Sequence, residues 1–327
     1  MKTFVWLVKR EYWERRGGML WAQVVSGGVL LLVSLIGLLI GTIVLRAHGA
    51  GGNSNMDTQI NVGVPLDQLI GHPSAAQIVQ FGRALDASMI SFVGIGAMVL
   101  AFVLFFYLLS ALNDERRDRS ILFWKSLPVS DRDTVLAKVV TATVLAPVIA
   151  MVIALAAYFA VLILLSLFAL LHGGNPVTLL WLPSQPLTML IKLIIALPLN
   201  ALWALPTVGW LLLCSSAVRA APFLWALLLP LAAGVLNGVI GLMGLPSVPG
   251  DLMWNMGVLR LLGSTFPGWF GHLMAAQPGG FDPLRDGVLG FDLLGRGYAM
   301  PGVWIGAAIG IAMIAAAIGF RRRNSDL

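Results

Sequence analysis

The chain has 327 residues, of which 58% are hydrophobic and only 11% are charged. Soluble domains carry about 25% charged residues, so this composition excludes a soluble globular protein and indicates an integral membrane protein. The formal net charge of +6 raises the question of nucleic-acid binding. The basic residues follow a membrane topology instead, so we expect no nucleic-acid partner. The single cysteine, Cys214, excludes a disulfide framework.

Six apolar runs are long enough to cross a bilayer as helices, which need about 20 residues each. We therefore predict an all-α integral membrane protein with six transmembrane helices in a single domain, 1–327. The third run is so long that it must tilt, kink at Pro147 or project beyond the bilayer. The predicted spans are 19–45, 87–112, 139–171, 187–216, 222–245 and 301–320.

The lysines and arginines predict the orientation of these spans. Fifteen of the 21 lie in the two terminal segments and in two of the connections. Cytoplasmic segments carry an excess of Lys and Arg, so both termini are expected in the cytoplasm. The expected cytoplasmic segments are 1–18, 113–138, 217–221 and 321–327, and the expected outer segments are 46–86, 172–186 and 246–300.

Residues 3–16 mix aromatic, basic and acidic side chains, which is typical of a helix lying on a membrane surface. We predict a cytoplasmic interfacial helix there, with a bend into the membrane at Gly17 and Gly18. The alternative is a simple polar extension of the first span.

The outer segments differ in composition. Residues 46–86 are rich in Gly, Asn and Ser and are predicted to be mostly irregular, and 172–186 is a short connection punctuated by Pro and Gly. Residues 246–300 contain enough Leu, Met, Trp and Phe for a re-entrant or interfacial helix that stays close to the membrane. The similar sequences GFDPLRDG at 280–287 and GFDLLGRG at 290–297 are predicted to form two turns at the outer mouth, or alternatively an ion cradle.

Ionisable residues at membrane depth usually mark function, and the predicted spans contain almost none. Lys192 lies near a span end and can extend to the interface, and Arg260 falls in an outer connection. Asn200 and Asn237 are the notable polar groups within spans. We expect them to form interhelical hydrogen bonds, or alternatively to contact substrate along a pathway.

Residue sets for catalysis are missing. The sequence has no H-E-x-x-H motif, no paired carboxylates within a span and no P-loop. Its four histidines fall in separate places, where solvated or interfacial positions are more frequent than a shared metal. We therefore expect no catalytic residue, no metal site and no cofactor in this chain. Nucleotide-driven work would require a separate subunit.

Glycine spacing predicts where helices approach closely, because G-x-x-x-G faces let backbones touch. We expect the ladder in the last span to pack within the subunit and the pairs in the first and fifth spans to be candidates for a dimer face. The ladder is Gly302, Gly306 and Gly310, and the pairs are Gly37 with Gly41 and Gly234 with Gly238.

The 113–138 connection is the most heavily charged part of the chain. Glu115 and Arg119 are spaced as a helical i,i+4 ion pair, and Ser130 is predicted to cap the helix that follows. Between them lie Phe123 and Trp124, which a fully solvated loop would not need. They either anchor in the headgroup layer or fit a groove on a cytoplasmic partner.

This connection resembles the one between the second and third spans of ABC-2-type transporter permeases. That family has an acid-and-arginine run, a short helix, Leu-Pro-[Val/Leu]-Ser and a closing Lys, and it often has Gly where this chain has Ser120 and Ala137. The matching positions are Glu115, Arg116, Arg119, Leu127, Pro128, Val129, Ser130 and Lys138.

The resemblance implies a membrane subunit of an ATP-driven exporter or flippase in the cytoplasmic (inner) membrane of a bacterium. It implies a cytoplasmic P-loop ATPase partner that holds ATP and Mg, and a second permease chain in a homodimer or heterodimer. The poorly charged spans suggest a hydrophobic or amphiphilic cargo. A non-transporting membrane scaffold is the alternative, and an embedded enzyme is disfavoured. The residues implied to contact the ATPase through a coupling helix are Glu115, Arg119, Ile121, Phe123, Trp124, Leu127, Pro128 and Ser130.

Overall fold

The chain folds into a bundle of helices, with no strand in the part that the structure describes. Six helices are long and apolar enough to cross a membrane. These findings confirm the prediction of an all-α membrane protein with six candidate spans. We number the helices α1–α8 in chain order, including two shorter ones. The computed structural model describes residues 2–49, 75–118, 129–171, 173–218, 220–266 and 289–323.

The first three helices are longer than the predicted spans because polar turns continue them. In α3 a wide π-helical turn precedes Pro147, whose ring would otherwise clash with a carbonyl one turn earlier. Helix α1 consists of Lys2–Arg16, a π-helical turn at Gly17–Trp21 and Ala22–Gly49; α2 of Ala75–Ser110 and Asn113–Arg117; and α3 of Asp131–Val140, the turn at Thr141–Leu145 and Ala146–Leu171.

The remaining helices begin mostly at proline, which suits the first turn of a helix because its missing N–H has no partner there in any case. Helix α4 is Pro186–Ala217, preceded by short helical segments at Val177–Trp181 and Leu182–Ser184; α5 is Pro222–Leu242; α6 is Leu252–Val258, a π-helical segment, with Leu259–Gly263; α7 is Phe291–Ala299; and α8 is Pro301–Arg323.

Three connections differ from the prediction. Residues 75–86 are helical, not irregular, and Gly82 packs so tightly that a Cβ there would lie 2.5 Å from the Pro183 carbonyl oxygen. Most of 172–186 is also helical. The second repeat copy, 290–297, forms most of helix α7 instead of a turn, because Leu293 and Leu294 bury an apolar face. The first copy, 280–287, lies outside the described residues.

The N-terminal region is helical without a break from Lys2 to Gly49. The expected bend at Gly17 and Gly18 is a widened π-helical turn, in which Gly18 allows close approach to Val103 of α2. The cytoplasmic interfacial helix and its alternative, a polar extension of the first span, both stay predictions.

Helix α4 lies at the centre of the bundle and contributes to two apolar clusters. One cluster includes Met89, Tyr158 and Leu199, and the other includes Leu108 and Leu211, all of them buried. The second cluster lies toward the end of the bundle where α1 begins, α2 ends, α3 begins and α8 ends. We call this the basic end, and the opposite end the far end.

Helices α4 and α8 approach each other closely through glycine. A Cβ at Gly209 would lie 2.5 Å from the Gly310 carbonyl oxygen, and a Cβ at Gly310 would lie 2.5 Å from the Leu205 backbone. Larger residues would force the helices apart. The prediction that the last-span glycines pack within the subunit is therefore confirmed for Gly306, which faces Arg260, and for Gly310.

Helix α6 returns into the bundle from the far end. Trp254 and Val258 pack against Gly234 of α5, where a Cβ would lie 3.0 Å from a Val258 methyl. Arg260 follows them and is only 6% exposed. The sequence predicts Arg260 as one charge of an outer connection, whereas its side chain is buried between α4 and α8. The re-entrant or interfacial placement of 246–300 stays a prediction.

Candidate functional site

Four buried ionisable side chains meet at the basic end of the bundle. The Lys138 ammonium of α3 lies 2.7 Å from a Glu11 oxygen of α1 and 3.0 Å from a Glu115 oxygen of α2. The Arg321 guanidinium of α8 lies 2.6 Å from the other Glu115 oxygen. We call these four residues the buried ion cluster. Their side chains are each less than a tenth exposed, so the contacts are shielded from water.

The buried ion cluster contains two carboxylates and two cations, and the less buried Arg10 guanidinium lies 3.6 Å from Glu11 and 3.9 Å from Glu115. The Tyr107 hydroxyl donates a hydrogen bond of 2.8 Å to the second Glu11 oxygen and so satisfies that carboxylate further. Burying an ion costs several kcal/mol unless partners and hydrogen bonds compensate it. The cluster is therefore stable only when all four helices keep these positions, and it ties α1, α2, α3 and α8 together.

Arg321 joins both sides of the segment predicted to contact a partner. Its Nε donates a hydrogen bond of 2.9 Å to Asp131, the first residue of α3, and its Nη1 contacts Glu115 at the end of α2. Residues 119–128 leave from one of these anchors and return at the other. Arg321 therefore contacts residues on both sides of that segment.

The predicted helix cap at Ser130 is confirmed. Its hydroxyl accepts a hydrogen bond of 3.1 Å from the Asp133 backbone N–H. Asp131 and Asp133 occupy the first turn of α3, where the helix dipole favours negative charge. Helix α3 therefore has a well-defined N-terminus at Asp131, capped by Ser130.

Arg116 and Ser215 join the end of α2 to the end of α4. The Ser215 hydroxyl accepts hydrogen bonds of 3.1 Å from the backbone N–H groups of Leu112 and Asn113. The Arg116 guanidinium donates to the carbonyl oxygens of Ser215 and Val218, at the C-terminal end of α4. Cations are favoured at helix C-termini, so this pair fixes α4 to the base of the 119–128 segment.

The tip of the predicted coupling helix lies outside the described residues. Glu115 is described, and its observed partners are Lys138 and Arg321. Its predicted pairing with Arg119 stays a prediction. The other expected ATPase-contacting residues that lie outside the described part are Ile121, Phe123, Trp124, Leu127 and Pro128.

A second feature is an apolar cavity of about 190 Å³ between α2, α3 and α4. Asn200, predicted to bond to a neighbouring helix or alternatively to contact substrate, lines this cavity together with Thr143 and Thr265. The Thr143 hydroxyl donates to the Val139 carbonyl of its own helix. Thr265, which follows α6, supplies a third polar group to the cavity.

No protein-family model, curated protein or solved structure matches this chain. Three features therefore bear on function: the buried ion cluster, the cavity and the sequence resemblance of the 113–138 connection.

Asn237, the other predicted pathway residue, has a local role. Its amide nitrogen donates to the Val248 carbonyl at 2.8 Å, and its amide oxygen accepts from the Val248 N–H at 3.0 Å. Both polar atoms of the Asn237 amide are thus bonded to the backbone that follows α5. The predicted hydrogen bond to a neighbouring helix is not formed; instead, Asn237 holds the connection after its own helix in place.

The candidate dimer-face glycines have different surroundings. Gly234 packs against α6 of the same chain, so it belongs to the subunit interior. A Cβ at Gly37 or Gly238 would have no described atom within 4 Å. The surroundings of Gly41 lie outside the described part. Exposed apolar side chains continue the open faces of α1 and α5, such as Leu32 and Leu236.

Within the described residues no group of three His, Cys, Asp or Glu side chains is placed to hold a metal ion. The sequence does not identify Glu11, Tyr107, Arg321 or Thr265 as members of a site. A signal was present for Glu11, an acid within an otherwise basic and aromatic helix. Thr265 gave no comparable signal, because its position depends on how α6 enters the bundle.

Proposed function

We propose that the chain is the membrane subunit of an ATP-driven exporter or flippase, coupled to a separate cytoplasmic ATPase that binds the 119–130 segment. The observation that supports this most is Arg321, which contacts Glu115 on one side of that segment and Asp131 on the other. A loop used only as a membrane anchor has no need for such a connection at its base.

In this proposal ATP-driven closure of the partner pushes on the tip residues Phe123 and Trp124. The motion passes through Glu115 and Asp131 to Arg321, and through Lys138 to Glu11. The helices α1, α2, α3 and α8 then move as one body relative to a second permease chain. Chemical energy is transmitted by preferential binding of one conformation, with no bond chemistry in this chain.

The second chain would pack on α1 and α5, whose apolar faces are open around Gly37 and Gly238. The basic end would face the cytoplasm, since it carries the excess of Lys and Arg. These assignments make the protein half of a dimeric transporter in a bacterial inner membrane, with ATP and Mg held by the partner.

The test is co-purification with a candidate P-loop ATPase encoded beside this chain. The variant Phe123→Ala, Trp124→Ala, Leu127→Ala is expected to release the ATPase while leaving the melting temperature of the permease unchanged. A matched control replaces Trp6 and Trp13, exposed aromatic residues of α1, with Ala and is expected to retain it. Normal ATPase binding and turnover in the triple variant would contradict the coupling proposal.

A scaffold function predicts a different result in the same system. A scaffold would bind the ATPase through this tip but would show neither cargo-stimulated hydrolysis nor movement of cargo in proteoliposomes. A transporter is expected to show both, and both are expected to be lost in the triple variant.

A further inference from the structure

The cavity between α2, α3 and α4 exists because small side chains face one another there. Gly94 and Ala97 of α2, Ala150 of α3 and Ala196 of α4 all line it. Its volume of about 190 Å³ exceeds the ~150 Å³ of an engineered apolar cavity that stays dry and binds benzene. The space is therefore large enough for a guest.

The walls of this cavity favour an aliphatic guest without charge. Its described lining contains aliphatic side chains, one Met and a few neutral polar groups, with no charged and no aromatic residue. The lining positions of α2 extend from Ile90 to Leu104, a length of about 21 Å at 1.5 Å per residue. A narrow extended hydrocarbon chain fits this length of α2 better than a flat ring system, because a flat ring packs well against aromatic side chains and the described lining has none.

Thr265 provides an independent sign of a ligand. The residue is 7% exposed and lines the cavity. Its hydroxyl has no hydrogen-bond partner among the described residues. A buried hydroxyl left without a partner destabilises a fold, whereas a bound molecule with an acceptor oxygen would satisfy it. Asn200 lines the same cavity and offers a second neutral polar contact.

We propose that this cavity binds the hydrocarbon chain of an uncharged single-chain amphiphile, with the Thr265 hydroxyl donating a hydrogen bond to the ester carbonyl. The chain lies along α2 between Ile90 and Leu104. Binding at this site requires no ATPase. The role of the site in carrying cargo rests on the proposed transport function.

The experiment uses the purified full-length protein in nanodiscs without any ATPase. The probe is a monoacylglycerol that carries a photoreactive diazirine in its chain. We expect saturable labelling of peptides from α2 and α3 at the cavity, displaced by unlabelled monoacylglycerol. Labelling that rises linearly with probe concentration, as annular bilayer lipid would give, would overturn the proposal.

Two cavity-filling variants test the location. Ala97→Leu and Ala196→Leu are expected to abolish saturable labelling, because the added side chain occupies the chain site. The matched control is Ala308→Leu, the same change at an exposed position of α8, which is expected to label like the parent. Each variant is used only if its melting temperature shows that it is folded. Undiminished labelling in both cavity variants would place the site elsewhere.

Thr265→Val tests the hydrogen bond, since it removes the hydroxyl and keeps the shape. The variant is expected to weaken monoacylglycerol binding roughly 10-fold, the typical effect of one lost hydrogen bond. Binding of a diazirine-bearing alkane of equal length is expected to stay the same, and the empty protein is expected to be at least as stable as the parent. Equal binding of both probes by parent and variant would refute the role of Thr265.

The cavity site and the transport function can fail separately. Saturable labelling in a protein that binds no ATPase would support the cavity site and contradict transport. Cargo-stimulated ATPase activity without saturable labelling would support transport and contradict the cavity site.

Discussion

The guanidinium of Arg260 lies 4.2 Å from the ring centroid of Trp203, so a cation of α6 stacks on an aromatic ring of α4 inside the bundle. The Arg260 carbonyl oxygen accepts a hydrogen bond of 2.8 Å from the Thr207 hydroxyl of α4. On its other side the guanidinium fills the notch left by Gly306 of α8, where a Cβ would overlap it. One residue of α6 thus contacts two long helices.

We expect Trp203→Leu to destabilise the protein by about 2 kcal/mol or more, because a cation–π contact shielded from water contributes about that amount. Arg260→Lys should also destabilise, since an ammonium does not stack on the ring as a guanidinium does. Both effects are measured as a fall in melting temperature of the purified protein. A Lys variant as stable as the parent would show that the stacking is unimportant.

The contact with Gly306 is tested by a double-mutant cycle. Gly306→Ala is expected to be strongly destabilising in the parent and far less so in an Arg260→Ala background, where the notch is empty. Gly319→Ala on the same helix is the control, because a Cβ there meets no described atom within 4 Å. Equal effects of Gly306→Ala in both backgrounds would rule out the contact.

The buried ion cluster gives a further prediction. Glu115→Gln is expected to lower the stability by about 3–5 kcal/mol, since it leaves Lys138 and Arg321 with one carboxylate fewer in a buried site. The control is Asp114→Asn, which breaks an exposed ion pair with Arg15 and is expected to cost about 1 kcal/mol or less. Chemical or thermal unfolding distinguishes the two, and similar losses in both variants would refute the role of burial.

The link between α4 and α5 carries local backbone strain. Ala221 has φ = 49°, in the left-handed region where a side chain costs about 1–2 kcal/mol. Ala221→Gly is therefore expected to raise the melting temperature, because glycine adopts this conformation without strain. Ala220→Gly, one residue earlier, is the control and is expected to be neutral or mildly destabilising. A lower melting temperature for Ala221→Gly would contradict the assignment of strain.

The sidedness of the basic end is open to direct measurement. Cys214 is buried, so a Cys214→Ala background allows single cysteines to be placed at Ala220, near the basic end, and at Asp251, near the far end. The excess of Lys and Arg predicts that a membrane-impermeant maleimide added outside intact cells labels Asp251→Cys alone. Ala220→Cys should react only after the membrane is opened. The reverse pattern would invert the topology.

The features that could be predicted from sequence are those carried by neighbouring residues. The six long helices follow from runs of apolar residues, and the cap at Ser130 follows from its spacing to Asp133. The tight packing at Gly310 follows from glycines that recur at every fourth position of the last span. The buried ion cluster could not be predicted, because Glu11 and Lys138 are 127 positions apart and look like ordinary interfacial charges.

Arg260 and the cavity escaped prediction for a related reason. The partners of Arg260 come from α4 and α8, and its burial becomes apparent only when α6 is seen to return between them. The cavity is defined by side chains that are small, such as Ala97 and Ala196, and apolar patterns do not reveal which small residues face each other. The composition of 46–86 predicts mostly irregular structure, but residues 75–86 are helical because good helix formers outweigh the polar composition.

The buried ion cluster also constrains the order in which the protein is assembled. Glu115 meets Lys138 as soon as α3 has been made, but Arg321 is synthesised 206 residues after Glu115. Until α8 enters the membrane, Glu115 and Asp131 therefore lack their contacts with the Arg321 guanidinium. A nascent or truncated chain without α8 would leave both carboxylates without this cation, so the insertion of α8 completes the charge pairing that closes the basic end of the bundle.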